Sequence, residues 1–524
     1  MSRNLTTSTA ATVAVSVPAG AAATRRADDG ALPDLKQRTA KAALISSVCQ
    51  VTSLALRAGS LMILSRLLTP TDFGLVGMVT AITGFMALFK DAGLSDAAVQ
   101  QGSITHEQSS MLFWINAGIG CTLGLLCVVF ASSVALFYGE PRLHPIMQAV
   151  GSSFVFTGLS TQHRALLLRG MRIHVIALTE VTALFTSILV AVTMAATGFG
   201  YWALVASTII LPAGTAIGVW QATRWVPDWP RRRSGTRSMI VYGGTVTLNS
   251  LVVYIAYNVE KVLLGRFWGA APLGIYGRAY QLVNLPNDSL LSTLGSVAFP
   301  ALCRVQDDPV RFRRYFLRMY GLFLSIAMPI TVACALFSED IVEILLGPSW
   351  GAVAPVFRLL TPTILSIALV NPFGWLLFAN GRVARSLKIA LLIAPVTILA
   401  YSLGLGSGPV GVATGFSTAM VILVVPIILW SKLNTLITGR DILGAVAHPV
   451  GSLAIAAVVA LLARPWLAQI HWTLLRLSTA SALLFLVYLL TLLFVFRQKD
   501  QYIDLLRQVG LWRTRRGGSD QSDQ

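Results

Sequence analysis

The first long apolar stretch of the chain, residues 42–66, reads AALISSVCQVTSLALRAGSLMILSR. As a helix it can cross a hydrocarbon layer about 30 Å thick, and about thirteen similar stretches of roughly 20 residues follow it up to Phe496. Because the lipid core offers no water, each backbone amide must be bonded within its own segment. The sequence therefore predicts an all-α fold, a polytopic membrane helical bundle of about 14 transmembrane helices.

The composition agrees with an integral membrane protein. Hydrophobic residues make up 55% of the chain and charged residues only 12%, with a mean hydropathy of +0.71. The net charge of +18 lies in short loops between apolar stretches, so no nucleic-acid partner is predicted. The cysteines and histidines show no metal-ligand spacing, and neither a Gly-x-Ser-x-Gly motif nor a P-loop occurs. We expect no metal, no cofactor and no hydrolytic site.

The distribution of apolar stretches divides the chain into spans and tails. The predicted spans are 42–66, 73–92, 111–137, 145–165, 175–196, 199–220, 238–258, 273–300, 316–337, 352–379, 386–405, 409–430, 446–467 and 473–496. Residues 1–41 lack helical periodicity and are interpreted as a disordered cytoplasmic tail. A signal peptide ending near Ala23 is the alternative.

Positive charges alternate between the two sides of the predicted bundle. The loops on the side of the tail contain Arg164, Arg169 and Arg172; Arg224, Arg231, Arg232, Arg233 and Arg237; Arg304, Arg311, Arg313 and Arg314; Arg382 and Arg385; and Arg513, Arg515 and Arg516. The opposite loops are nearly bare of positive charge, with Arg142 and Arg266 as exceptions. The positive-inside rule therefore places both termini in the cytoplasm, with residues 222–237 as a basic linker and 497–524 as a cytoplasmic tail.

A comparison of the chain with itself at an offset of 200 residues indicates an internal duplication. Residues 63–66 (ILSR) align with residues 263–266 (LLGR), and Gly74 and Gly77 then meet Gly274 and Gly277 without a gap. Chance matches of Leu and Gly are the alternative. The duplication predicts two pseudo-symmetric six-helix lobes, 42–221 and 238–430, plus two C-terminal helices in 431–496. Repeats of this kind rock against each other around a site near their interface.

Arg57 is the sharpest functional signal, because it lies in the middle of the first span. A lipid-facing charge there costs about 2.5 to 3.5 kcal/mol on insertion scales, so the side chain must face protein or water. Ser46, Gln50, Ser53, Arg57 and Ser60 recur at spacings of three and four, which places them on one helical face. This row predicts one wall of a polar cavity. A structural ion pair with a carboxylate is the alternative.

Further polar and charged residues lie at membrane depth. A second row at helical spacing contains Thr247, Ser250, Tyr254, Asn258 and Lys261, while Lys90 ends span 2 and Arg278 begins span 8. These cations either line the cavity or reach to the membrane surface. Asp91, Glu180 and Asp288 are candidates for proton relay or ion coupling, or for pairing with the cations. A cavity richer in cations than carboxylates favours an anionic substrate, especially a phosphate.

Several ordered motifs resemble the Wzx-type polysaccharide transporters of bacteria, within the multidrug, oligosaccharidyl-lipid and polysaccharide exporter superfamily. Residues 64–78 (LSRLLTPTDFGLVGM) resemble the first hairpin of that family, and residues 89–94 (FKDAGL) resemble the end of its second helix. Residues 163–169, 274–280, 299–302 and 306–309 are similar to later segments. The likeness covers roughly residues 40–435. Both tails and the last two spans are much less diagnostic of the family.

The resemblance implies that the protein flips an undecaprenyl-diphosphate-linked oligosaccharide across the bacterial inner membrane by alternating access. It implies that cationic side chains hold the diphosphate, namely Arg57, Lys90, Lys261 and Arg278. It also implies that polar side chains line the cavity, namely Gln50, Ser53, Ser250, Tyr254 and Asn258. No covalent chemistry is needed. Its partners would be the lipid-linked substrate, membrane lipids, and a polysaccharide polymerase with its export machinery. A cation-coupled drug exporter of the same superfamily and a membrane polysaccharide polymerase are the alternatives.

Overall fold

A computed structural model describes residues 32–89, 105–229, 254–255 and 257–496, which form helices and short connections. The helices are α1 Leu32–Leu67, α2 Pro70–Ala87, α3 His106–Tyr138, α4 Leu143–Arg169, α5 Ile173–Ala196, α6 Tyr201–Thr223, α7 Val259–Trp268, α8 Ala270–Arg304, α9 Pro309–Leu336, α10 Ser338–Leu345, α11 Val353–Leu360, α12 Pro362–Ala379, α13 Val383–Gly404, α14 Gly408–Ser431, α15 Gly439–Leu467 and α16 Thr473–Leu490. Within these ranges no strand is present.

The predicted all-α membrane bundle is confirmed. Nine helical segments of the described chain are long and apolar enough to cross a membrane, and one of them, Arg385–Ser431, contains both α13 and α14. The predicted span 238–258 lies almost wholly outside the described residues, so the total of 14 stays a prediction.

One predicted span is confirmed with an interruption and one predicted boundary differs. The span 352–379 matches a single apolar segment, Val353–Ala379, in which only Thr361 separates α11 from α12 because Pro362 has no amide hydrogen with which to continue α11. Helix α1 begins at Leu32, so the tail boundary predicted at residue 41 lies inside a helix. Helix α1 therefore begins before the apolar stretch from which the first membrane span was predicted.

The first hairpin is fixed by the side chains at the start of α2. Thr69 accepts from the Asp72 amide, and the Thr69 amide donates to Asp72 Oδ2 at 2.9 Å, which forms a capping box. Pro70 fills the first helical position, where its missing donor costs nothing. The Thr-Pro-Thr-Asp motif of the sequence is therefore a helix-start signal that sets where α1 ends and α2 begins.

Helix packing sorts the bundle into two groups. In the first group α1 packs on α5, α3 packs on α4, and α6 packs on both α4 and α5. In the second group α8 packs on α11 and α12, and α14 packs on α12 and α13. The main crossing between the groups is made by α2 and α8.

The α2–α8 crossing is a reciprocal backbone contact. A Cβ atom added to Gly74 would overlap the backbone carbonyl of Ala270, and one added to Gly274 would overlap the backbone carbonyl of Pro70. Gly74 and Gly274, like Pro70 and Ala270, are 200 residues apart. Adding 200 to the residue numbers of one contact therefore gives the equivalent residues of the other contact. The same pairing of two equivalent surfaces occurs in an isologous interface.

The two C-terminal helices are tied to the second group at both ends. Arg313 of α9 forms two hydrogen bonds to Asp441 at the start of α15, at 2.9 and 2.5 Å. Arg476 of α16 forms two to Asp340 of α10, at 3.1 and 2.6 Å. Such paired bonds fix orientation as well as proximity.

We expect Gly74→Ala and Gly274→Ala each to destabilise the folded protein by about 1–3 kcal/mol, because the added methyl meets backbone that cannot rotate away. The measurement is thermal unfolding of the purified protein in detergent. Gly77→Ala is the matched control, since its Cβ would lie 3.5 Å from Leu273, an ordinary contact distance. Equal unfolding temperatures for all three variants would contradict the assignment of a close backbone crossing.

Candidate functional site

A cavity of about 610 Å³ lies between the two helix groups. Its walls come from α1, α5 and α6 on one side and from α7 and α8 on the other. The polar lining residues are Arg57, Ser60, Ser187, Ser207, Thr208, Lys261, Arg278, Gln281, Asn284 and Asp288. The cavity is therefore a polar space at the junction of the two groups, bordered by cations from both.

Arg57 lies in the wall formed by α1. Its side chain is exposed, and it makes no hydrogen bond or ion pair with any described residue. Ser60 lines the same cavity one turn further along α1. The structure thus places this guanidinium at the cavity with all of its donors available.

Lys261 reaches the cavity from the opposite side, at the first turn of α7. Its Nζ donates to Asn258 Oδ1 at 2.7 Å, and Asn258 Nδ2 donates to the Tyr254 carbonyl at 3.0 Å. Tyr254 itself points elsewhere: its hydroxyl donates to the α2 carbonyls of Ala81 at 3.0 Å and Thr80 at 3.3 Å. Asn258 therefore positions Lys261, and Tyr254 joins the two helix groups.

Arg278 is the buried cation of the site. Its Nη1 donates to Gln281 Oε1 at 2.5 Å, and its guanidinium lies over the ring of Phe73 at 3.5 Å from the ring centroid. Phe73 belongs to α2 of the first group, and its ring also makes an edge-type contact with Trp350 of the second, with 5.5 Å between the ring centroids. The cation–π contact therefore crosses the interface between the groups.

Helix α8 supplies a polar row that the sequence analysis recognised only in part. Arg278, Gln281, Asn284 and Asp288 all line the cavity, and their spacings of three, three and four residues place them on one helical face. Among the described lining residues there are three cations and one carboxylate, that of Asp288. The field of the cavity is accordingly positive.

The remaining predicted residues fall into three groups. Gln50 and Ser53 lie on α1 but are not part of the cavity lining. Glu180 forms an ion pair with Arg164 at 2.8 Å and is not among the residues that line the cavity. Lys90, Asp91 and Ser250 lie outside the described residues.

At the end of α1 that carries Arg66, the two groups are held together. Arg66 Nη2 donates to the Ile344 carbonyl at 3.0 Å, and Trp350 Nε1 donates to the Ser65 carbonyl at 2.6 Å. Arg266, 200 residues after Arg66, lies over the Phe137 ring of the first group. Both equivalent arginines thus reach across the interface, so this end of the bundle is closed.

Comparisons with known proteins identify the family. The sequence profile of the family described as "Polysaccharide biosynthesis protein" matches residues 63–355, more than half of the chain. The chain belongs to this family.

Characterised relatives and solved structures agree with that membership. The chain is 24% identical to the lipopolysaccharide biosynthesis protein WzxC of Escherichia coli over 74% of this chain and 80% of that protein. It is 27% identical to the teichuronic acid biosynthesis protein TuaB of Bacillus subtilis over 67% and 73%. The lipid II flippase MurJ in its inward closed conformation has the same fold, with a TM-score of 0.71 and 15% identity over 87% of this chain and all of that one. An inward-facing multidrug transporter of the MATE family gives a TM-score of 0.60 at 13% identity over 73% of this chain and 94% of that one.

The family membership and these relatives confirm the resemblance to Wzx-type polysaccharide transporters. The nine apolar helical segments of the described residues agree with a multi-pass membrane protein of this polysaccharide biosynthesis family.

The positive field predicts a charge preference that can be measured without the substrate. In a protein whose native cysteines are replaced, a cysteine at Ser60 should react faster with an anionic methanethiosulfonate than with a cationic one, by about tenfold. Lys261→Gln should reduce that ratio. A cysteine at Ser53 is the control, since it lies on the same helix outside the cavity. An anionic-to-cationic rate ratio at position 60 no higher than the ratio at position 53 would contradict a cation-rich cavity.

Proposed function

We propose that the protein flips an undecaprenyl-diphosphate-linked oligosaccharide unit from the cytoplasmic to the outer leaflet of the bacterial inner membrane, for export of a surface polysaccharide. One observation carries the proposal: Arg57, Lys261 and Arg278 come from both helix groups and border one cavity. A diphosphate presents several anionic oxygens in a small volume, and it is the part of such a substrate that lipid cannot solvate.

The chemistry of the three cations suits a diphosphate. Arg57 offers a planar set of donors that matches two phosphate oxygens, and Lys261 contributes a compact point charge. Arg278 already donates to Gln281 and lies over the Phe73 ring. It can therefore bind a phosphate only by exchanging a neutral partner for a charged one. The cations thus replace part of the hydration that the diphosphate loses on leaving water.

The size and lining of the cavity suit the first part of the substrate. Cavities of about 300–1,000 Å³ hold ligands of drug size, so the described space of about 610 Å³ accommodates a diphosphate with the first sugars. Ser60, Ser207, Thr208 and Asn284 present hydroxyl and amide groups that can bond sugar hydroxyls. The lipid tail needs no place in the cavity, because it can stay in the bilayer.

The transport cycle is proposed to be alternating access between the helix groups of residues 42–221 and 238–430. In the state described, Arg66, Trp350 and Arg266 close one end of the interface. Release on that side requires these contacts and the α2–α8 crossing to separate. The likeness in fold to an inward closed flippase supports this cycle.

The orientation and partners complete the proposal. The arginine-rich loops favour cytoplasmic termini, which puts the closed end on the periplasmic side. The flipped unit would then be delivered where a polysaccharide polymerase and export machinery act. An organic cation is a poorer substrate for this cavity, because three cations line it against one carboxylate.

Arg57→Ala should abolish most polymer export and cause the lipid-linked precursor to accumulate, because the freely available phosphate ligand is lost. Arg57→Lys should retain partial export, since the charge stays and the bidentate geometry goes. Both are measured in a deletion strain, as exported polymer and as precursor extracted from the membrane at matched protein levels.

Lys388→Ala is the control for this experiment, because Lys388 is an exposed cation of α13 outside the cavity lining. Normal export by both Arg57 variants would refute the site. Transport of organic cations, with no precursor accumulation in the deletion strain, would instead favour a drug exporter.

A further inference from the structure

Glu260 is a buried carboxyl group that the transport site described above does not use. It lies in the first turn of α7 with a relative exposure of 1%. Neither carboxyl oxygen has a hydrogen-bond partner in another described residue. An isolated carboxylate in such a place is strongly disfavoured, whereas a neutral carboxylic acid is tolerated.

Apart from Lys261, the next residue in the chain, the groups around Glu260 are neutral and mainly aromatic. Four tyrosines lie within electrostatic range: Tyr254 before α7, Tyr276 and Tyr280 on α8, and Tyr401 on α13. The Tyr276 hydroxyl is buried and likewise without a partner. Together these groups offer hydroxyl donors and acceptors but no compensating charge.

On α8, the helix that packs most on α7, the buried cation Arg278 is engaged with Gln281 and the Phe73 ring. Lys261 follows Glu260 in the chain, but its Nζ bonds Asn258 and faces the cavity. On α2 the charged residue is Asp72, which caps its own helix, and α14 has no titratable side chain. From α3, Tyr138 approaches α7 at Gly265. No described cation therefore pairs with Glu260.

We infer that Glu260 is a proton-binding site, and that its proton is exchanged as the two helix groups move against each other. Helix α7 contacts α8, α13 and α14 of its own group and α2 and α3 of the other. A motion that separates the groups therefore changes the surroundings of Glu260. In the state described the site holds a neutral acid, and opening the interface admits water and releases the proton.

The coupling part of this inference rests on the proposed function, because Lys261 places the cavity directly beside Glu260. A diphosphate that binds the described state also favours the protonated acid, so by linkage its affinity should fall as pH rises. One coupled proton limits the change to about tenfold per pH unit.

Infrared difference spectroscopy tests the proton site without any substrate. The spectrum of the wild-type protein minus that of Glu260→Gln at neutral pH should show the carbonyl stretch of a protonated carboxylic acid. Glu180→Gln is the matched control, since Glu180 is half-buried and ion-paired with Arg164, and it should show carboxylate bands instead. Carboxylate bands for Glu260 would overturn the inference.

Two further outcomes are decisive. Glu260→Gln and Glu260→Met should both fold, because a site for a neutral acid accepts a neutral side chain of similar size, and failure of both would overturn the proposal. Loss of the protonated band on adding sodium chloride at constant pH, with potassium chloride as control, would overturn it in favour of a sodium site.

The coupling is tested with undecaprenyl diphosphate as the probe. Its affinity should fall from mildly acidic to mildly alkaline pH more steeply for the wild-type protein than for Glu260→Gln, and the titration of the diphosphate itself cancels in that comparison. Parallel curves would refute the coupling. If the wild-type protein does not bind the probe at any pH, the proposed function fails, while the infrared result still decides the proton site.

Discussion

The close backbone crossing of α2 and α8 is the constraint on which the rest of the arrangement depends. Gly74 lies on the Ala270 carbonyl and Gly274 on the Pro70 carbonyl, so neither position has room for a side chain. Because the two contacts are related by the 200-residue offset, the crossing has an approximate two-fold symmetry. It fixes the starts of two pseudo-equivalent helices against each other, and the later turns of α8 line the cavity.

The same crossing explains why the cations meet where they do. Arg278 follows Gly274 by one turn of α8, and Phe73 directly precedes Gly74 on α2, so backbone contact and cation–π contact are consecutive along the interface. The outer arginines, Arg66 and Arg266, repeat the offset and reach across on either side. The closed end of the interface is therefore held by several separate contacts, and the cavity lies beyond them.

Much of this was predictable, and the reasons are physical. The bundle follows from apolar length, and Arg57 follows from the cost of a charge in lipid. The duplication aligned Gly74 with Gly274, but their close approach to Ala270 and Pro70 is seen only in the structure. Phe73 was not predictable, because an aromatic residue in a membrane helix carries no signal of the cation above it. Glu260 was missed because a Glu-Lys pair at a helix start resembles a solvated end, and only the packing of Tyr276 and Tyr401 shows it buried.

The choice of partners for the cations shows how the cavity stays available to an anion. Lys261 is held by the amide of Asn258, and Arg278 by the amide of Gln281 and the ring of Phe73, all of them neutral. A carboxylate partner would cancel each charge and compete with a phosphate for the same donors. Neutral partners orient the cations and partly compensate for their burial, yet they leave the full charge unsatisfied. The positive field of the cavity is thus maintained by polar and aromatic neighbours, and the proposed diphosphate would supply the negative charge that the protein leaves out.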